Sequence, residues 1–152
     1  MKVVILGCGR SGASLALQLS AAGHEVTVVE KNPESLRRLG KTYPCRIVLG
    51  SGLDLDTLER ADVRTCEVFF AMTRGDNTNL MAAQIVKRNF KVERVAVKVA
   101  DPLRAEAYRK LGLFTINAAA LLAGMCRDWM VGAEFQPIDQ YNAGTVAEGF
   151  EL

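Results

Sequence analysis

Val3-Val4-Ile5-Leu6-Gly7-Cys8-Gly9-Arg10-Ser11-Gly12 decides how this chain folds. Four apolar residues in succession read as a parallel strand buried on both faces. The glycines that follow, in the order G-x-G-x-x-G, read as a sharp turn into a helix. The three glycines do different things. Gly7 permits the turn, Gly9 lets backbone N–H groups approach a phosphate, and Gly12 lets the helix lie close on the strand. The first turn of such a helix carries unpaired donors and partial positive charge, which suit an anion. In a chain with 13 glycines the spacing alone is a weak signal. Its surroundings must supply the context.

Downstream, strand-like and helix-like segments alternate, the pattern of an α/β protein with a parallel sheet. Strands are expected at roughly 2–6, 25–29, 45–49, 67–72, 94–99 and 113–116. Helices are expected at about 10–22, from Asn32-Pro33 to near Gly40, at 54–61, at 77–89, from Asp101-Pro102 to Gly112, and from about Asn117 to Met130. Asn-Pro and Asp-Pro each supply a cap followed by a first-turn proline, and Gly23 suits a left-handed helix end. The expected architecture is a Rossmann-like doubly wound parallel sheet of about six strands with helices on both faces. It occupies residues 1–130, and the aperiodic residues 131–152, with Gly132, Pro137 and Gly144, read as a C-terminal arm or linker.

The strand-loop-helix order is the context that the glycine motif required. A second feature agrees with it. Glu30 ends the second strand, eighteen residues past Gly12, where a carboxylate can accept hydrogen bonds from both hydroxyls of an adenosine ribose. A 2′-phosphate there would meet like charge, so NAD or an adenine nucleotide is favoured over NADP. Arg10, inside the loop, can offer several donors to a terminal phosphate. Cys8 in the same loop reads as a packing or backbone residue.

Composition narrows the function classes. Of 152 residues, 49% are hydrophobic and 24% charged, and the net charge is +2. That balance gives no electrostatic footprint for nucleic acid or a membrane surface, and neither is an expected partner. Cys8, Cys45, Cys66 and Cys126 form no C-x-x-C pair, which speaks for reduced thiols rather than a disulfide framework or zinc site. The apolar stretch after Lys2 reaches only Leu6 and the run Ala118–Cys126 is too short to span a bilayer, so neither a leader nor direct membrane insertion is expected.

With these residues in place, the chain resembles the RCK-N, KTN or TrkA-N nucleotide-binding domain of the Trk and Ktr potassium-uptake regulators, over about residues 1–130. The resemblance rests on the glycine loop with Arg10, on Glu30, on Ala71-Met72-Thr73-Arg74-Gly75-Asp76-Asn77-Thr78-Asn79-Leu80, which is similar to the family's A-x-T-x-D-x-x-N segment, and on Val97-Lys98-Val99-Ala100-Asp101-Pro102 with Lys110-Leu111-Gly112. It implies a cofactor site made of Gly7, Cys8, Gly9, Arg10, Ser11, Gly12, Glu30, Lys31, Gly50, Ser51, Ala71, Met72, Thr73 and Asn79. Asp76 and Asn79 could instead cap the helix that follows. The turn Gly50-Ser51-Gly52 departs from the family's usual Gly-Asp, so Ser51 stands where the family has a carboxylate near the adenine or its ribose.

What the resemblance implies is a regulatory subunit or domain binding NAD, NADH, ATP, ADP or AMP. Its partner would be a membrane potassium transporter or channel subunit, and it would work in the cytoplasm, peripheral to the inner face of the membrane, as a homodimer or larger ring. The alternative is the cofactor-binding domain of an NAD-dependent oxidoreductase. Such an enzyme needs a general acid or base, and the sole histidine, His24, falls in the turn before the second strand, at the sheet end away from the expected crevice. No catalytic residue and no metal site are expected. Ala118, Leu121, Leu122, Met125 and Trp129 share one helical stripe, a pattern that on sequence alone reads as internal core before interface.

Overall fold

The computed structural model describes residues 1–143. Its strands are β1 (Lys2–Leu6), β2 (Glu25–Glu30), β3 (Arg46–Leu49), β4 (Val68–Ala71), β5 (Arg94–Lys98) and β6 (Phe114–Ile116), ordered β3-β2-β1-β4-β5-β6 in one sheet. β1 runs parallel to both β2 and β4, with Ile5 opposite Val28 on one side and Phe70 on the other. β2 to β3 and β4 to β5 are also parallel. This is the doubly wound order in which successive crossovers depart in opposite directions from the central strand, opening a crevice beyond the carboxyl ends of β1 and β4.

The helices are α1 (Arg10–Ala21), α2 (Leu55–Arg60), α3 (Asp76–Ile85), α4 (Pro102–Lys110), α5 (Ala118–Val131) and α6 (Ile138–Ala143). Val3 and Ile5 of β1 pack with Ala13 and Ala16 of α1 and with Leu36 and Leu39. Val4 and Leu6, alternate residues on the opposite face, are buried as well. Such two-sided cover is why β1 is apolar at every position from Val3 to Leu6.

Two expected helices take other forms. Pro33–Leu39 is a 3-10 helix, started by the Asn32 side chain accepting from the Glu34 N–H at 3.1 Å. Its two buried residues, Leu36 and Leu39, are three apart, which matches three residues per turn. α3 ends earlier than expected, and Val86–Phe90 continue as a π turn closed by Lys91 in the left-handed conformation.

The chain resolves into two compact units, Met1–Val97 and Lys98 onward. In the second, the Asn117 side chain caps α5 by accepting from the Ala120 N–H at 2.9 Å. Residues 132–143 lie in the stretch read from sequence as an arm, and part of that stretch is ordered against α5. The Tyr141 hydroxyl donates to the Asp128 carboxylate at 2.7 Å and accepts from the Gln136 N–H at 2.8 Å. Asn142 accepts from the Asn117 N–H and donates to the Thr115 carbonyl. A Cβ on Gly124 would lie 2.3 Å from the Tyr141 ring, so glycine there makes room for α6. The rest of the arm, residues 144–152, lies outside the described residues.

The α5 stripe corrects the reading of it as core. Ala120 and Asp128 are buried on the α6 side, whereas Leu122 is 66% and Trp129 78% exposed, with Met125 exposed between them. Helical spacing establishes which residues share a face but not what covers that face. Among the described residues no helix is long and apolar enough to cross a membrane, and no cluster of three or more metal-ligating side chains occurs.

Candidate nucleotide site

All fourteen candidate residues fall in the first unit, and the topology gathers them at the carboxyl end of the sheet. Gly7 follows β1 with φ +102°, in the region that favours glycine. A Cβ there would lie 2.9 Å from the Thr73 nitrogen and 3.0 Å from its Cα. The turn therefore touches the segment that leaves β4. The Gly7 N–H extends the sheet by donating to the Val29 carbonyl at 2.8 Å, and the Met72 N–H does the same to Leu6 at 2.8 Å. A Cβ on Gly12 would sit 2.0 Å from the Gly7 carbonyl oxygen, so α1 approaches the loop closer than any side chain allows.

Gly9 differs from its two neighbours. Its backbone is extended, φ −72° and ψ −171°, a conformation open to any residue, and an added Cβ would meet nothing within 4 Å. The fold does not require glycine at this position. Gly9 is the N-cap of α1, no side chain caps that helix, and Arg10, Ser11 and Gly12 carry first-turn N–H groups with no intrahelical partner. Arg10 and Ser11 are exposed on that turn. What the loop presents outward is backbone polarity with open space before it.

Glu30 reaches across to this loop. One carboxylate oxygen accepts from the Cys8 N–H at 2.7 Å and the other from the Asn32 N–H at 2.9 Å. The Glu30 carbonyl accepts from the Gly50 N–H at 3.0 Å, which ties the turn after β3 to the same strand end. A carboxylate oxygen has two acceptor sites, so each still has capacity for a hydroxyl. Lys31 is exposed beside it. Ser51 is exposed on the neighbouring turn, where its Oγ accepts from the Leu53 N–H at 3.2 Å. Asp54, three residues on, does not replace the family's acid: its carboxylate caps α2 through the Thr57 N–H at 3.0 Å and the Thr57 hydroxyl at 2.6 Å. These bonds hold its pKa below the ordinary carboxylate value. Asp-x-x-Thr before a helix is a capping signal that sequence reading could have used.

Cys8 is fully buried, and its thiol is pushed up to about 11, first by burial and then by the Glu30 carboxylate. A thiol at that value stays protonated at neutral pH, in keeping with a packing role rather than a reactive one. The other three cysteines are also free. On the β4 side, Ala71 is buried and Met72 and Thr73 are half-buried. Asn79 does not point outward. It is fully buried in the first turns of α3, and its carboxamide engages Thr73. The N-cap residue of α3 is Gly75, which has no side chain to cap with. His24 lies between Gly23 and the start of β2, where its Nδ1 is 3.4 Å from the N-terminal amine, at the opposite end of the sheet.

The fold and the loop together define a Rossmann-type nucleotide-binding domain. Residues 3–118 match the TrkA-N domain model, and the chain belongs to that family. The Trk system potassium uptake protein TrkA of Streptomyces coelicolor is 45% identical over 116 residues, which are 76% of this chain and 52% of that protein. The chain thus spans about half the length of this curated relative. Among solved structures, the Kef CTD of Shewanella denitrificans in its AMP-bound form superposes with a TM-score of 0.72 at 18% identity, covering 88% of this chain and 84% of that one. The GsuK channel bound to NAD gives a TM-score of 0.66 at 20% identity, covering 81% of this chain and 22% of that one. At these identities the two structures bear on the fold alone.

Proposed function

We propose that the chain is a regulatory domain that binds NAD, NADH or an adenine nucleotide (ATP, ADP or AMP) and controls a membrane potassium transporter or channel. The observation that carries this reading is Gly9. Its backbone suits any residue and the space before it is open, so glycine there leaves room for something that must approach the backbone closely. Phosphate at an uncapped helix N-terminus meets that requirement. The amides of Gly9 to Gly12 would hold the phosphates, with Arg10 on the terminal one. Glu30 would hold the ribose diol, and Lys31, Gly50 and Ser51 would border the adenosine end. Ala71, Met72, Thr73 and, behind them, Asn79 would form the wall under β4.

The TrkA relative supports a regulator of potassium transport rather than an enzyme. The sole histidine, His24, lies at the opposite end of the sheet and is not placed to serve as an acid or base on a bound cofactor. Regulation follows if the nucleotide binds two arrangements of an assembly with different affinity. The exposed Leu122, Met125 and Trp129 supply a face for a homodimer or larger ring. The protein would work in the cytoplasm, held at the inner face of the membrane by its partner.

Mass spectrometry of small molecules released by denaturing the purified protein tests the ligand class. An adenine nucleotide at near-stoichiometric yield is the expected result. Purified protein that carries no nucleotide and binds none on titration with NAD, ATP, ADP or AMP would overturn the reading.

A further inference from the structure

We propose that Asn79 is a positioning residue for the phosphate loop: its buried carboxamide fixes Thr73, and Thr73 sets the wall against which the loop turns at Gly7. The proposal rests on the nucleotide reading for its functional part and on geometry for the rest.

The Asn79 Oδ1 accepts from the Thr73 N–H at 2.9 Å and from the Thr73 hydroxyl at 2.6 Å, and its Nδ2 donates to the Thr73 carbonyl at 3.2 Å. The carboxamide therefore pairs with both backbone polar groups of one residue, as a neighbouring strand would. This pairing continues the sheet. Met72 is the last residue of the β4 edge to bond β1, through its N–H on the Leu6 carbonyl. One residue further, successive N–H groups of a strand alternate in direction, so the Thr73 N–H points away from β1, and Asn79 rather than a neighbouring strand takes the N–H and carbonyl of Thr73. The donor and acceptor ends of the amide are fixed by the pattern, since a flipped amide would set N–H against N–H at Thr73.

The consequence for the site is steric. Gly7 lies so close to Thr73 that no Cβ fits between them. A displacement of Thr73 is thus passed directly to the turn that aims the loop amides. The Thr73 hydroxyl also accepts from the Gly75 N–H at 3.3 Å, which bends the chain back into α3. Only asparagine places a peptide-like group at this distance. Aspartate keeps the acceptor and loses the donor, while leucine fills the space and pairs with neither backbone group. The Glu30 end of the site has its own hydrogen bonds and does not depend on Asn79.

That separation gives the test. Calorimetric titration of ADP and of adenosine into the wild type, Asn79→Asp and Asn79→Leu is combined with backbone hydrogen exchange of the ligand-free proteins. In Asn79→Leu, ADP affinity is expected to fall at least about tenfold and adenosine affinity by less than about threefold, tenfold being about 1.4 kcal/mol. Exchange at Thr73 and Gly7 should accelerate, with Asn79→Asp intermediate in both readouts. Equal losses for ADP and adenosine, or unchanged ADP affinity in a folded variant, would overturn the proposal. If Asn79→Leu does not fold, Asn79→Asp decides by the same criteria. If the wild type binds neither ligand, the nucleotide reading fails by itself. The exchange arm then judges Asn79 alone, and unchanged Thr73 exchange in the variants would overturn the lock.

Discussion

The glycine loop and the α5–α6 hairpin present opposite kinds of surface. Around Gly9 the chain offers backbone N–H groups beside the polar side chains of Arg10 and Ser11, whereas along α5 it offers Leu122, Met125 and Trp129 to solvent. Both are built on close approach. Gly12 lets α1 come down on the Gly7 carbonyl, and Gly124 lets α5 receive the Tyr141 ring. In the loop, close packing leaves polar backbone facing outward, a surface suited to a small anion. In the hairpin, it buries the Asp128 face and leaves the apolar face outward, a surface suited to another protein. The two regions therefore have to be tested with different ligands.

The largest expected effect comes from Gly12. Gly12→Ala forces a methyl group to within 2.0 Å of a backbone oxygen, and overpacking of that kind costs about 3 kcal/mol. At about 2–4 °C per kcal/mol for a chain of this size, the thermal midpoint should fall by about 10 °C. A midpoint within about 2 °C of wild type would show that α1 can slide away from β1.

Next is the hairpin's outer face. Trp129→Glu should convert an assembled protein to monomer in light scattering, because a central aromatic anchor is worth about 2 kcal/mol or more to an interface. A wild type that stays monomeric at high concentration, with and without nucleotide, would remove the contrast between the regions. Of the two surfaces, only the loop would then keep a functional role.

Glu30 sharpens the loop side. Glu30→Ala removes the acceptor proposed for the ribose diol and also frees the Cys8 and Asn32 N–H groups that it holds at 2.7 and 2.9 Å. A charge-assisted hydrogen bond is worth about 1.5–3 kcal/mol, so NAD and ADP affinity should fall roughly tenfold or more. The ratio of NAD to NADP affinity should fall too, since like-charge repulsion toward a 2′-phosphate is relieved. A ratio that does not move in parallel titrations would make Glu30 a brace for the loop and nothing more.

The smallest effect is acid sensitivity of the hairpin. The Tyr141 hydroxyl and then the Arg127 guanidinium hold the Asp128 carboxyl below its ordinary value near 3.8. A depressed folded-state pKa contributes stability above the unfolded value and loses it as pH falls through the folded one. Wild type should lose thermal stability more steeply than Asp128→Asn below about pH 4. Parallel curves would mean that the carboxylate charge is not part of the contact.

The sheet and the loop were legible in the sequence because their signals are local. Strand periodicity, three glycines and an acid at a strand end sit within 30 residues, and each has one geometric meaning. The missing parts depend on contacts across the fold. Nothing near Glu30 in sequence shows that its carboxylate closes on the Cys8 amide. Asn79 reads from sequence as a cofactor contact, with a helix cap as the alternative, whereas its carboxamide pairs with the backbone of Thr73 after β4. Six residues of α6 are too few to show periodicity, and Tyr141 is placed by Gly124 and Asp128, thirteen or more residues away. The α5 stripe had the correct spacing, but exposure is a property of what lies opposite, which no spacing contains.

Gly9 gives the most direct test of the nucleotide site, because there the demand of the fold and the demand of the ligand separate. Gly9→Val enters open space in an ordinary extended conformation, so stability should fall by no more than about 1 kcal/mol, the cost of a poor N-cap residue on α1. The same side chain would stand between the loop amides and a phosphate. Titration of ADP and NAD into wild type and Gly9→Val, with thermal midpoints measured on the same samples, reads both demands together. Midpoints within about 4 °C of each other, with nucleotide binding lost in the variant, are the predicted result, and undiminished binding by a folded Gly9→Val protein would contradict it.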